Sequence, residues 1–194
     1  MDESEKTAKF REQTEALYAA LGRFAVNFEH VCHNMVTVVS LILHQDGLRS
    51  QSLANCLLAD LTADALRRVF GAVVAEVRKD DNDEIRALDN VLSRTQRLTQ
   101  QRNDVIHRMW FIGWASPDQE DFAKASSWKF KNTKRGAEFQ PREYSVAEFD
   151  ELSEHADEIA AIIERMGGCI GTNKSFVRNF HIEKDGTVRL PRKT

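Results

Sequence analysis

Between Lys6 and His44 the chain repeats apolar residues at the spacing of one helical face: Phe10, Leu17, Leu21, Phe24, Phe28, Val31, Met35, Val38, Val39 and Ile42. A stripe of that length dictates much of the remainder. A helix cannot cover its own apolar face, so other elements must be laid along it. Gly22 falls inside the stripe and leaves one long helix or two successive helices open. The longest apolar run without a charge, around Met35 and Leu43, is about ten residues. A bilayer-spanning helix needs roughly 20. The stripe therefore predicts a soluble core and no membrane partner.

The segments that follow supply those elements. Asp46-Gly47 ends the first helix, and a short helix is expected over Ser50 to Asp60. Thr62 reads as the N-cap of a helix over 63–78, with Leu66, Val69, Phe70, Val73 and Val77 on its apolar face. Asp80-Asp81-Asn82-Asp83 forms a turn whose acids favour the start of the next helix. That helix is predicted to run to about Met109, carrying Leu88, Val91, Leu98, Val105 and Ile106. The period then changes at Trp110-Phe111-Ile112-Gly113-Trp114, and Ser116-Pro117-Asp118 breaks it. Trp128-Lys129-Phe130-Lys131 and Glu138-Phe139 flank an Arg135-Gly136 turn, the pattern of a small hairpin. Ser145-Val146-Ala147-Glu148 is a capping box opening a last helix that reaches Gly167-Gly168. Beyond it, Lys184-Asp185-Gly186 suggests a second hairpin or an extended arm. The expected fold is all-α: an antiparallel four- to five-helix bundle over 1–167, with a small β-like insertion at about 110–143 and a basic C-terminal tail over 168–194. Trp110 and Trp114 are expected to pack between insertion and bundle.

Charge is uneven. The net charge is −3, yet residues 124–142 carry +5 and residues 168–194 carry +4. Such segments attract polyanions locally even on an acidic protein, or simply solvate a loop. Cys32, Cys56 and Cys169 are odd in number and form no C-x-x-C pair, so neither a disulfide framework nor a cysteine zinc site is expected. With the acidic Met1-Asp2-Glu3-Ser4-Glu5 start, this points to a reduced, cytoplasmic protein. Glu29 and His33 are four apart on one helix, but nothing supplies the second half of a bundle metal site. No phosphate-cradling glycine loop or nucleophile elbow is present. No metal and no cofactor is expected.

The informative segment is Arg102-Asn103-Asp104-Val105-Ile106-His107. On a helix Asn103 and His107 lie roughly 40° apart and share a face, and the long Arg102 side chain can bend toward it. An arginine, a carboxamide and a histidine converging at a helix end suit a phosphate: the guanidinium clamps anionic oxygens and histidine titrates near neutrality. The plainer alternative pairs Arg102 with a nearby acid and packs His107 under Trp110.

An arginine followed by a polar residue and then, four to six residues on, by histidine on a late helix is the motif of HEPN-domain proteins. The chain resembles that family through Arg102-Asn103…His107 and through the helix order over roughly 15–110 and 145–166. Arg23 and His30 match the same spacing, but lie on the first helix and lack the polar neighbour. Met109 stands where the nucleotidyltransferase-partnered branch has tyrosine, which sets the chain apart from that branch. The resemblance implies a metal-independent endoribonuclease, of toxin or defence type, acting as a homodimer whose two motifs meet across a twofold axis. Arg102, Asn103 and His107 would then be catalytic. Other members of the family are noncatalytic interaction or regulatory modules, which keeps a regulatory protein partner open. RNA would be gripped by Lys129, Lys131, Lys134 and Arg135. In a strand Lys129 and Lys131 face one side and Trp128 and Phe130 the other, with the lysines expected outward and the aromatics on the bundle.

Overall fold

The computed structural model describes residues 2–114, 121–134 and 136–191. Its elements run α1 (Glu3–Gln45), α2 (Gln51–Leu58), α3 (Ala63–Arg78), α4 (Asn82–Ile106), β1 (Met109–Phe111), β2 (Lys124–Thr133), β3 (Gly136–Ser145), α5 (Val146–Gly171), β4 (His181–Ile182) and β5 (Val188–Arg189). The expected all-α bundle is therefore incorrect, and the protein is mixed α and β. Its helices are accompanied by a three-stranded antiparallel sheet, in the order β1-β2-β3, and by a two-stranded one. The physical reason is the length of the hairpin. β2 and β3 pair over ten residues each, from Lys124 opposite Ser145 to Thr133 opposite Gly136. The predicted helix to Met109 stops at Ile106, which frees Met109–Phe111 to pair with Trp128–Ser126 as a third strand.

Local signals in the sequence act as expected at most helix ends. The Thr62 hydroxyl accepts from the Ala65 N–H. Asp81 accepts from the N–H groups of Asp83 and Glu84, capping α4. Ser145 and Glu148 make the reciprocal capping box at 2.8 and 3.3 Å. At the end of α1, Gly47 takes a φ of 105° and Leu48 N–H returns to the Leu43 carbonyl at 2.9 Å. Gly22 does not break α1, which is continuous from Glu3 to Gln45. By length and composition alone α1 could cross a membrane. Leu17, Phe24, Phe28, Val31, Met35, Val38, Val39 and Ile42 along it are nonetheless buried within the protein.

The chain divides into two compact units. The first comprises residues 1–26 and 101–154. It holds the beginning of α1, the end of α4, the three-stranded sheet and the first turns of α5. Its aromatic core sets Trp110 against Tyr144 and Phe149, with ring centroids 5.4 Å apart in each case, and Phe10 against Phe122 at 4.5 Å. Gly113 has a φ of 72°, and a Cβ there would meet the Thr14 side chain at 3.0 Å, so this bend after β1 requires glycine.

The second unit comprises residues 27–100 and 155–194. Its core is built from Phe28, Met35, Phe70, Leu88, Ile159, Ile162, Ile163 and Phe176. A Cβ on Gly71 would stand 2.8 Å from a Leu92 methyl, so the glycine lets α3 and α4 approach closely. The expected arm at the C-terminus is a hairpin fastened into this unit. Phe176 and Val188 are buried, Glu84 accepts from the Phe176 N–H at 2.9 Å, and the Val188 carbonyl accepts from Arg94 at 2.7 Å. Arg94 is itself buried and paired with Glu158, which also binds Arg189 at 2.7 Å. Burial pushes the Glu158 carboxyl up, but Arg189 and Arg94 outweigh it and hold its pKa below the usual range.

Removing Glu158 strands a buried guanidinium. Glu158→Ala should lower Tm by roughly 5–10 °C in a thermal melt, the size expected when one partner of a largely buried pair is deleted from a chain of this length. A change of under a degree would mean that water or a neighbouring group replaces the carboxylate.

Candidate nucleic-acid interface at the end of α4

The residues singled out by the motif lie on the last turn of α4 and just beyond it. Asn103 and His107 are exposed and Arg102 is half-buried. The His107 N–H closes the helix onto the Asn103 carbonyl at 3.4 Å. The Arg102 guanidinium reaches the Asn103 side-chain oxygen at 3.4 Å. Val105 is buried and its carbonyl accepts from the Trp110 indole at 3.0 Å, which fixes where the chain leaves the helix. His107 does not pack into the core, so the plainer alternative for it is not what the structure holds. Arg23, from the other Arg-His match, is engaged by Asp150 at 2.7 Å.

The main departure concerns Asp104. Its carboxylate is approached by Lys129 at 3.2 Å, Arg142 at 2.9 Å and Arg108 at 3.1 Å. The buried Arg108 also donates to the Gln140 carbonyl at 3.0 Å, tying the helix end to β3. Burial raises the Asp104 pKa, yet hydrogen bonds from Lys129 and Arg108 more than offset this and leave it below the usual carboxylate value. Three cations share one carboxylate, so the cluster keeps an excess positive charge. A helix C-terminus by itself repels anions. Here the excess offsets that repulsion beside the exposed Asn103 and His107.

This arrangement reverses the expected faces of the hairpin. Lys129 points inward to Asp104 and is half-buried, while Trp128 and Phe130 point outward, 42% and 66% exposed. Trp114, expected in the core, is 70% exposed, whereas Trp110 packs inside as anticipated. Lys131 and Lys134 are exposed at the far end of the hairpin. Arg135 lies outside the described residues, as do the Ser116-Pro117-Asp118 break and Arg192 and Lys193 of the tail. Sequence reasoning missed Asp104, Arg108 and Arg142 as a group. The one signal available was the four-residue spacing of Asp104 and Arg108, an ordinary helical ion pair. Among the described residues no group of three or more His, Cys, Asp and Glu side chains is gathered as metal ligands would be.

No protein-family model matches the chain, and no curated protein or solved structure is significantly similar to it.

Asp104→Asn leaves Lys129, Arg142 and Arg108 without a counter-charge and should destabilise the protein by about 1–3 kcal/mol at pH 7. Because the folded pKa of Asp104 is depressed, its contribution is complete above the ordinary value near ~3.9 and is lost as pH falls through the folded value. The gap in Tm between wild type and Asp104→Asn should therefore hold from pH 7 to about pH 4 and narrow as melts are taken below that. A gap that stays constant below that pH would show that charge at Asp104 is not the cause.

Proposed function

We propose that the protein is a metal-independent endoribonuclease of HEPN type, with Arg102, Asn103 and His107 as its catalytic residues. The observation that carries this reading is the exposure of Asn103 and His107 together at the end of α4, beside a cation cluster in excess over its single carboxylate. Cleavage next to a ribose 2′-hydroxyl requires a base to take that proton as the 2′-oxygen attacks phosphorus. It also requires an acid to protonate the departing 5′-oxygen and cations around the pentavalent phosphorus. One chain contributes one histidine in the motif. A twofold dimer brings two His107 and two Arg102 to the same patch, so one histidine acts as base and the other as acid. Arg102 stabilises charge on the phosphoryl oxygens, and Asn103, already bonded to Arg102, orients it. The protein acts on RNA in the cytoplasm, in a toxin or defence role.

Purified protein should degrade single-stranded RNA in EDTA and behave as a dimer in light scattering. His107→Ala should slow cleavage at least about a hundredfold with a much smaller loss of RNA affinity, since the surrounding cations supply most of the attraction for phosphate. Arg102→Ala should reduce both. Cleavage by His107→Ala at the wild-type rate would remove the site, and would favour a noncatalytic binding module.

A further inference from the structure

The outer face of the three-stranded sheet carries a continuous line of rings, all exposed except the half-buried Phe111. Phe111 lies 5.1 Å from Trp114 and 4.3 Å from Trp128, Trp128 lies 5.5 Å from Phe139, and Phe139 lies 5.6 Å from Phe130, all between ring centroids. Met109 is paired with Trp128 on the same face and is 62% exposed. An antiparallel sheet with one face on a core ordinarily turns polar residues to water. Here the inward face carries Trp110 and Tyr144 in the core and Lys129 and Arg142 on Asp104, yet the outward face carries a second set of rings. Cross-strand aromatic pairs do stabilise sheets. That accounts for Phe139 against Phe130, but not for Trp114, which stands outside the strands and is more exposed than any of the others.

We infer that this face is a stacking platform for the unpaired bases of single-stranded RNA. Charge selects the occupant. The two long strands and the turn joining them carry Lys124, Lys129, Lys131, Lys134, Arg135 and Arg142 against Glu138 and Glu143. A polyanion is attracted to that excess, which stands at the exposed Lys131 and Lys134 and, on the opposite face, at Lys129 and Arg142. Lys124 is bound only loosely, at 3.7 Å to Glu143 with both side chains exposed, and is free to exchange its partner for a phosphate. Ser126, Asn132 and Glu143 share the aromatic face by register and offer hydrogen bonds to base edges. Those groups are costly to sink into lipid, which disfavours a membrane surface. Every base has a π-face, so recognition here is tolerant of sequence and demands only that bases be unpaired. The inference rests on RNA being the ligand of the proposed site, but not on its being cut.

The test measures binding of a fluorescein-labelled, mixed-sequence single-stranded RNA and of its duplex form to the full chain in EDTA, all variants also carrying His107→Ala. Phe130→Ala and Trp114→Ala, which remove the most exposed rings, should each weaken single-strand binding about tenfold, the usual effect of deleting one stacking partner. Their salt dependence should stay as before, and duplex should bind more weakly than single strand. Lys131→Glu with Lys134→Glu should instead flatten the salt dependence. Circular dichroism identifies any variant that has lost its fold, and Phe130→Leu then serves in its place. Unchanged affinity in the ring variants, equal binding of duplex, or no binding of RNA at all would each overturn the platform. So would loss of self-association or of phosphatidylserine-vesicle binding, rather than RNA binding, when the rings are removed. If the ring variants lose RNA while wild-type protein cuts none, the platform stands and the nuclease reading falls. If wild type cuts and the ring variants bind normally, the reverse holds.

Discussion

The carboxylate of Asp104 decides which face of the three-stranded sheet turns toward the end of α4. Lys129 and Arg142 lie on one side of the hairpin and the rings of Trp128, Phe130 and Phe139 on the other. Burying rings and exposing cations would be the ordinary choice, since charged groups are costly to remove from water. Asp104 reverses that preference by giving both cations, and the buried Arg108, a shared partner. The Arg108 bond to the Gln140 carbonyl then fixes the strand against the helix end. As a result the rings of Trp128, Phe130 and Phe139 face water, together with Lys131, Lys134 and the outer part of Arg142.

Positive charge is also sorted between the two basic segments. In the tail, Arg189 is held by Glu158 and Glu183, and the hairpin around it is fastened by Arg94, Asn90 and Glu84. Those groups serve cohesion of the second unit. In the first unit, three cations share one carboxylate, and Lys131 and Lys134 remain exposed. Lys174, Arg178 and Lys184 of the tail are exposed as well, so the proposal of RNA as ligand falls on the first basic segment because of the exposed rings it carries.

Helix positions were legible in the sequence because they depend on local chemistry. Thr62, Ser145 with Glu148, and Asp46-Gly47 each act within a few residues of chain, and each cap forms as read. The pairing of the two hairpin strands was legible for the same reason. The fold class was not, because it depends on Met109–Phe111 leaving the helical pattern to pair with β2, and pairing partners distant in sequence leave no periodic trace. The orientation of the hairpin was misread for a related cause. Alternation shows that Lys129 and Trp128 oppose each other, but which side faces inward depends on Asp104, 25 residues away from Lys129. Of the candidate site, the placement of Arg102 and Asn103 on the last turn of α4 followed from the helical period. The cations that surround Asp104 from β2 and β3 required the folded chain.

A histidine at a helix end and an aromatic sheet face are the two features proposed to meet RNA. Photo-crosslinking with 4-thiouridine-substituted single-stranded RNA, followed by mass-spectrometric mapping of the modified peptides, tests this most directly. The account predicts crosslinks concentrated on the segments 109–114 and 124–145, at Trp114, Trp128, Phe130 or Phe139, with further adducts close to His107. Crosslinks confined to the tail hairpin over 176–191, or spread evenly over the helices of the second unit, would contradict it.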